Sequence, residues 1–187
     1  LVDRLGYRGP ELVVAAIAAI AGERVFAHGL DLGCGTGLTG RALRSRVARL
    51  DGVDLAPAMV TTARASGVYD EVAVGDAVAD LARRATGSLD LITAADVFCY
   101  LGDLGAVAAQ AGRVLRPGGL FVFTVEAGGM GDEIRLGDGL RFAHGLGHVD
   151  AALAAAGLRR SRTDEATLRR DRDRDVAAFV VAAVRMC

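Results

Sequence analysis

Short apolar, β-branched runs alternate along this chain with alanine-rich stretches that have helical character. A stretch that opens at Pro10 and closes at Gly22 has the pattern of a helix with proline at its first position. Further helices are predicted at residues 38–46, 56–66, 79–84, 104–115 and 147–156. Strands are predicted to end at residues 32 and 54 and to span 71–74, 89–94, 120–126, 158–167 and 176–185. This alternation predicts an α/β domain around a largely parallel sheet, with all of residues 1–187 in one domain.

The most informative segment is the glycine cluster LDLGCGTGLTG at residues 30–40, between a strand and a helix. Glycines in this position let the backbone approach a ligand and aim helix N–H groups at it. Residues 35–40 satisfy the dinucleotide pattern GxGxxG. Asp31 followed by Gly33, Gly35 and Gly37 gives the competing pattern D-x-G-x-G-x-G. A nicotinamide or flavin site and a site for S-adenosylmethionine are therefore both open at this point.

Two acidic residues downstream help to choose between these cofactors. Asp54 ends the second strand, where an acid accepts both ribose hydroxyls in either cofactor class. Asp76 ends the third strand, and a dinucleotide site has no need of an acid there. Asp31 near the loop favours the ammonium and sulfonium of S-adenosylmethionine and would repel a pyrophosphate. The three acids together favour S-adenosylmethionine.

Composition and charge exclude several other classes. The chain has 22 basic and 23 acidic side chains and a formal net charge of −1, so it lacks the basic excess of a nucleic-acid binder. Its longest apolar run is too short to span a bilayer and lacks signal-peptide features. Three scattered cysteines without metal spacing indicate reduced thiols, a cytoplasmic protein and no metal site. The chain begins at Leu1 instead of Met, which is compatible with a missing upstream segment.

Most of the chain resembles the class I S-adenosylmethionine-dependent methyltransferases. The segments that carry this resemblance are LDLGCGTG, GVDLAPAMV, VGDA, LDLITAADVFCYLGDL and LRPGGLFVFTVE. AADVFCYLGDL together with RLGDGLRFAH more specifically resembles predicted methyltransferases associated with tetratricopeptide repeats, although no such repeat occurs here. The resemblance implies a three-layer Rossmann-like fold with a seven-stranded, mostly parallel sheet of order 3-2-1-4-5-7-6, in which strand 7 is antiparallel.

The resemblance also implies a set of cofactor-binding residues. Gly33 and Gly35 would contact the methionine part, Asp54 the ribose, and Asp76 with Ala77 the adenine. The full set is Tyr7, Arg8, Asp31, Gly33, Cys34, Gly35, Gly37, Asp54, Leu55, Asp76, Ala77, Ala94 and Ala95. Within it, Ala94 and Ala95 would offer backbone to the amino group. Tyr7 and Arg8 would close over the cofactor carboxylate or else belong to a mobile terminus.

Residues for the methyl acceptor are expected after the fourth strand and in an insertion at residues 127–147. Asp96 and Tyr100 follow the fourth strand, and His144 is the candidate base because its ordinary pKa is near 6.5. The alternative for His144 is a polar residue that caps a loop. Further candidates are Glu126, His148 and Arg141. We expect Arg141 either to bind a substrate carboxylate or phosphate, or to pair with an acid of its own loop, Asp132 or Glu133.

Two expectations complete the sequence-based interpretation. The arginine-dense residues 159–174 contain offsetting acids and are expected to form a solvated hairpin. Only an N-terminal helical cover at residues 1–22 and the insertion at 127–147 can enclose a methyl group, which favours a small-molecule acceptor. The sequence therefore predicts a small-molecule methyltransferase. The alternatives are a non-catalytic module that binds S-adenosylmethionine or a nicotinamide-dependent oxidoreductase. The oligomeric state is left open.

Overall fold

The apolar runs form a central sheet, and the alanine-rich stretches form helices on its two faces. A computed structural model describes residues 6–137, 139–171 and 174–187. The strands are β1 Phe26–Leu32, β2 Val47–Asp54, β3 Glu71–Val74, β4 Leu89–Ala94, β5 Leu115–Ala127, β6 Ile134–Leu136, β7 Phe142–His144, β8 Leu158–Asp171 and β9 Arg174–Arg185. The helices are α1 Gly9–Ala21, α2 Leu38–Leu43, α3 Pro57–Ala65, α4 Ala77–Arg83, α5 Gly105–Val114 and α6 Leu146–Ala155. Short 3₁₀ helices follow α2 and β4.

The strand order confirms the predicted fold class. β1 to β5 are parallel and lie in the order β3-β2-β1-β4-β5, while β9 pairs antiparallel with both β5 and β8. With β8 and β9 counted as the sixth and seventh strands, the order is the expected 3-2-1-4-5-7-6. The short hairpin β6–β7 is an addition to this order, since β7 pairs with the end of β5 at Glu126 and Ala127. At Glu126, β9 pairs with one side of β5. β7 therefore pairs with the other side of β5, beyond Phe123, where the pairing with β4 ends.

Alternation along the central strands divides the core between the two faces of the sheet. Ile92, Phe121 and Phe123 face α5 and α6, and the ring centroids of Phe121 and Phe123 lie 4.6 Å apart. Leu91 and Val122 face the opposite side, where buried residues of α1 cover them. Each face therefore has its own helical layer, as a three-layer α/β fold requires.

Helix α1 packs on a sheet face, with Val13 and Ile17 fully buried, and does not lie across the carboxyl edge of the sheet. The expectation that a helix at residues 1–22 covers the site is therefore corrected, and residues 1–5 lie outside the described residues. Of the described N-terminal residues, Tyr7, which precedes α1, reaches that edge. None of the helices in the described ranges is long and apolar enough to cross a membrane.

The turn predicted after α5 is a bulge inside β5. Leu89 pairs with Leu115 and Leu91 pairs with Leu120, so β5 holds three more residues than β4 over this interval. Gly118 has φ of +75°, a backbone conformation that glycine adopts without strain. The Pro-Gly-Gly signal was thus correct about local geometry and wrong about where the strand begins.

Candidate functional site

An open cleft with a cavity volume of about 220 Å³ runs along the carboxyl ends of β1 to β4. In α/β sheets of this kind, ligands bind outside the carboxyl ends of the strands. The residues that line the cleft are Gly33, Val53, Asp54, Leu55, Gly75, Asp76, Ala77, Asp96, Val97, Tyr100 and Leu101. Loops from four successive strands therefore contribute to one concave surface.

The glycine loop after β1 forms one wall of this cleft. Gly33, Gly35 and Gly37 all have positive φ, at 61°, 53° and 93°. A Cβ added at Gly33 would overlap the side chain of Val97 from the next loop. The glycines therefore serve both the left-handed turn and the close contact between the two loops.

Asp54 joins the first two loops. Its Oδ2 accepts the Gly35 N–H at 2.9 Å, and its Oδ1 accepts the Ala56 N–H at 2.8 Å. Asp76 caps α4, since its Oδ1 accepts the Ala79 N–H at 2.9 Å. Both carboxylates line the cleft, so helix capping and exposure to a ligand occur together at Asp76.

Four charged side chains meet at the other end of the cleft. Arg169 donates to Asp96 Oδ1 at 2.7 Å and to Glu126 Oε1 at 2.5 Å. Arg141 lies 3.4 Å from the same two oxygens and donates to the Tyr100 hydroxyl at 2.9 Å. Two guanidiniums thus balance two carboxylates, of which Asp96 lines the cleft.

The backbone and pKa of Asp96 are both unusual. Its φ is +59°, which is rare for a non-glycine residue, and its N–H donates to Thr124 Oγ1 at 2.8 Å. Burial raises the pKa of Asp96, and the guanidiniums of Arg169 and Arg141 oppose that rise. A left-handed, partly buried acid at a cleft is a feature of functional sites.

Asp96, Cys99 and Glu126 also place potential metal-ligand atoms within 4.8 Å of one another. However, the two carboxylates are already paired with guanidiniums, and burial raises the pKa of the Cys99 thiol to about 12. This arrangement favours a cluster of ion pairs, and the absence of a metal stays a prediction.

Comparison with known proteins supplies the family. A profile described as a methyltransferase domain matches residues 30–123, about half of the chain. The chain belongs to this methyltransferase domain family. It is 37% identical over 116 residues to a ubiquinone biosynthesis O-methyltransferase of Xanthomonas oryzae pv. oryzae, covering 60% of this chain and 47% of the relative. It is 33% identical over 153 residues to a malonyl-[acyl-carrier protein] O-methyltransferase of Serratia marcescens, covering 78% and 58%.

The chain therefore spans about half the length of these curated relatives. Among solved structures, an S-adenosylmethionine-dependent methyltransferase from Mesorhizobium loti superposes with a TM-score of 0.69 at 23% identity, covering 91% of this chain and 96% of that one. This likeness confirms the Rossmann-like methyltransferase fold. The tetratricopeptide association suggested by sequence is not shown by these comparisons.

S-adenosylmethionine is the cofactor of this methyltransferase domain, as the sequence predicted. The cleft fits such a molecule, because the acids Asp54 and Asp76 lie at the ends of neighbouring strands β2 and β3. Exposed Leu55 and partly buried Ala77 add apolar surface beside them. Gly33, Asp54, Leu55, Asp76 and Ala77 are thus the predicted cofactor residues that line the cleft.

Asp31 is not placed to contact the cofactor. Its side chain is buried beneath the glycine loop, where Oδ2 accepts the Tyr69 hydroxyl at 2.7 Å and Oδ1 accepts the Thr93 hydroxyl at 2.9 Å. Burial raises the pKa of Asp31 to about 6. The expectation of a direct acceptor for the cofactor charges is corrected to a buried support for the loop.

Several other predicted cofactor residues lie beneath the cleft surface and do not line it. The side chain of Cys34 is buried with Val60, Ala63 and Val72 and does not line the cleft. Gly35 and Gly37 shape the loop without lining the cleft. Ala94 is fully buried in β4, paired with β1 and β5.

Tyr7 and Arg8 behave differently from each other. The Tyr7 hydroxyl donates to the Ala95 carbonyl at 3.3 Å, so this residue reaches the carboxyl edge but occupies the backbone group expected to bind the cofactor. Burial and the nearby Asp96 raise the pKa of Tyr7. Arg8 instead pairs with Glu11 at 2.8 Å on the exposed start of α1. Its predicted contact with the cofactor carboxylate stays a prediction.

The predicted base His144 is a buried structural residue. Its Nε2 lies 2.9 Å from the carbonyl oxygens of Leu101 and Gly102, so Nε2 carries the proton and donates it. Its Nδ1 is buried without a hydrogen-bond partner in the described ranges, and burial lowers the pKa of the ring. His148 also points away from the cleft, since its Nε2 accepts the Leu104 N–H at 3.2 Å.

Arg141 and Arg169 depart from their predicted surroundings. Arg141 contacts Asp96, Glu126 and Tyr100 instead of the acids of its own loop. Arg169 lies in the arginine-dense run that was predicted to be solvated, yet its side chain is only 7% exposed. Residues 172 and 173 of that run are outside the described ranges. The sequence held one indication that Arg169 is buried, because its neighbour Leu168 is an apolar residue within the arginine-dense run.

Proposed function

We propose that this methyltransferase domain transfers a methyl group from S-adenosylmethionine to a small-molecule acceptor, with Asp96 as the residue that takes the acceptor proton. The observation that carries the proposal is the layout of the cleft. Asp54 and Asp76 line one end, and Asp96 with Tyr100 lines the other. One ligand-sized surface therefore joins groups suited to an adenosyl unit with groups suited to an acceptor.

The cofactor, when bound, supplies an electrophilic methyl group on a sulfonium. The task of the protein is then to align the acceptor and exclude water from it. Asp54 is positioned for the ribose hydroxyls, Asp76 and Ala77 for the adenine, and Gly33 for the methionine part. These roles are part of the proposal and rest on the cleft geometry.

Asp96 is suited to hold a proton because three features act together. Its carboxylate lines the cleft, and burial raises its pKa. Its Oδ1 is fixed by Arg169, whereas its Oδ2 makes no hydrogen bond to the described part of the chain. When an acceptor hydroxyl attacks the methyl carbon, the oxygen–carbon bond would form as the carbon–sulfur bond breaks, the sulfur would leave as a neutral thioether, and the hydroxyl proton would pass to Asp96.

The comparisons support an oxygen acceptor, because both curated relatives are named O-methyltransferases. One name refers to ubiquinone biosynthesis and the other to a malonyl group on an acyl-carrier protein. We propose a free small molecule for this chain, because Asp96 and Tyr100 belong to the same small concave cleft as the acids Asp54 and Asp76.

The more specific resemblance to methyltransferases associated with tetratricopeptide repeats supports the same acceptor end. It rests on residues 94–104 and 135–144, and these two segments contact each other in the structure. Arg141 donates to Tyr100, and His144 donates to the carbonyls of Leu101 and Gly102. Free Cys34 and Cys99 support our proposal that the protein works in the cytoplasm.

Calorimetry followed by a turnover assay tests this function. S-adenosylhomocysteine is expected to bind and NADH is not. A panel of hydroxylated small molecules is then assayed with labelled S-adenosylmethionine. Turnover on the panel supports the proposal, binding without turnover favours a non-catalytic module, and preference for NADH overturns it.

The role of Asp96 has a separate test. Asp96→Asn is expected to lower kcat by about 10²- to 10⁴-fold while S-adenosylhomocysteine affinity changes little. In the wild type, kcat should rise with pH through the raised pKa of Asp96, and the variant should lose that dependence. Asp132→Asn on the exposed insertion is the matched control. An Asp96→Asn enzyme with full kcat would contradict the assignment.

A further inference from the structure

The two arginines at the acceptor end hold the same carboxylates with unequal strength. Arg169 makes short hydrogen bonds of 2.7 and 2.5 Å to Asp96 and Glu126. Arg141 approaches the same two oxygens only to 3.4 Å, and its Nε is buried without a hydrogen-bond partner in the part of the chain described. Arg169 therefore bridges the two acids, and the contacts of Arg141 with them are replaceable.

The two arginines also lie on different elements, Arg169 in a long strand and Arg141 in a short hairpin. Arg169 lies in β8, which is paired along its length with β9, and its side chain is 7% exposed. Arg141 lies just before β7 in the short hairpin with β6, next to Leu140 with φ of +56°, and its side chain is 21% exposed. Arg141 is therefore the one of the pair that can exchange a partner at low cost.

Arg141 is held directly behind the cleft wall. Its guanidinium lies over the Tyr100 ring, 4.8 Å from the centroid, and donates to the Tyr100 hydroxyl. Tyr100 is 63% exposed and lines the cleft together with Asp96. Arg141 does not itself line the cleft, so its guanidinium has to leave Tyr100 and Asp96 to reach a ligand there.

The charges along the cleft give this fork a direction. Among the described residues, Asp54 and Asp76 at one end have no ion-pair partner, whereas Asp96 at the opposite end pairs with Arg141 and Arg169. From this asymmetry we propose that Arg141 is a specificity residue that binds a carboxylate on the methyl acceptor, exchanging its contacts with Asp96 and Glu126 for that group. The proposal rests on the proposed methyl-transfer function.

A carboxylate suits this position better than a phosphate. A carboxylate carries one charge and matches the planar fork of a guanidinium with two hydrogen bonds. A phosphate ester would bring close to two negative charges towards Asp96 and Glu126, which Arg169 alone would then have to balance. Neutral acceptors would leave the fork of Arg141 in its present loose contacts.

Paired probes test the proposal without requiring turnover. Benzoate, phenylacetate and butyrate, each with its primary amide, are titrated by ligand-observed NMR into protein saturated with S-adenosylhomocysteine. At least one acid is expected to bind about tenfold more tightly than its amide, the effect of one charged hydrogen-bonded pair. Phenyl phosphate is expected to bind more weakly than benzoate.

Variants assign the preference to one side chain. Arg141→Gln should remove the difference between acid and amide, and Arg141→Lys should restore only part of it. Arg170→Gln is the matched control, since Arg170 neighbours the cluster in sequence but is exposed and paired with Asp175. Thermal unfolding shows that each variant is folded.

The outcomes separate this inference from the function on which it rests. Calorimetry of S-adenosylhomocysteine on the same preparations reports the cofactor site. If the cofactor product binds and no acid binds at its solubility limit, the carboxylate proposal is overturned and the cofactor site stands. Equal affinity for acid and amide, or a preference that survives Arg141→Gln, overturns it as well. Failure of S-adenosylhomocysteine to bind counts instead against the proposed function.

Discussion

Replacing Asp31 with Asn tests how the buried acid supports the glycine loop. The Asp31 side chain is 1% exposed and accepts hydrogen bonds from Tyr69 and Thr93. Asn has nearly the same shape and keeps one acceptor oxygen, but it cannot ionise. The substitution therefore removes a buried charge and preserves most of the packing.

The structure gives the sign and size of the effect. Burial raises the pKa of Asp31 from 3.8 to about 6, so the folded protein binds this proton more tightly than the unfolded chain. The stability associated with the protonated acid is fully present below pH 3.8 and is lost as the pH rises through about 6. A difference of roughly 2 pKa units corresponds to about 3 kcal/mol of unfolding free energy.

Urea unfolding followed by circular dichroism measures this loss. The wild type should lose up to about 3 kcal/mol relative to Asp31→Asn between pH near 4 and pH near 7. Asp132→Asn, which changes an exposed acid on the insertion, should follow the wild type. If wild type and Asp31→Asn differ by the same amount at both pH values, folding does not raise the pKa of Asp31 and the reasoning is refuted.

Four further substitutions probe the cleft and the core. Asp54→Ala should weaken S-adenosylhomocysteine binding by about 1–3 kcal/mol in calorimetry, because it strands polar partners; unchanged affinity would refute the ribose contact. Gly33→Ala should cost about 1–2 kcal/mol in unfolding free energy from its positive φ alone, with more from overlap with Val97. His144→Gln should lower the melting temperature and leave the pH profile of kcat unshifted, whereas a shifted profile would restore His144 as a base. Phe98→Ala should cost about 3–5 kcal/mol in urea unfolding, since its ring is fully buried.

Most of the fold was predictable because its signals are local. The glycine loop, the alternating burial of the parallel strands and the helix breaks each depend on a few neighbouring residues. The roles of Asp54 and Asp76 as strand-end acids also follow from position alone, and both residues line the cleft. The antiparallel last strand came from family resemblance and was confirmed.

The errors concern residues whose surroundings are set by distant segments. Asp31 follows an apolar residue at the end of a strand, but Tyr69, 38 positions later, closes over it. His144 contacts carbonyls 42 and 43 positions earlier. Arg169 occurs among many solvated arginines, and only the register of β8 against β9 turns it towards Asp96, 73 positions away. Composition and short-range pattern contain no information on such pairings.

β9 lies between β5 and β8 in the sheet, so the chain after β5 adds strands beside those that carry the cleft. The two parts of the chain, before and after residue 123, therefore contribute different residues. Every cleft residue lies between positions 33 and 101, and the family profile ends at 123. Arg141 and Arg169 are supplied by the chain after that point and are inserted beside an already complete cofactor edge. If the proposed acceptor end is right, substitutions in the last third of the chain would alter the choice of acceptor and leave the residues that line the cofactor end unchanged.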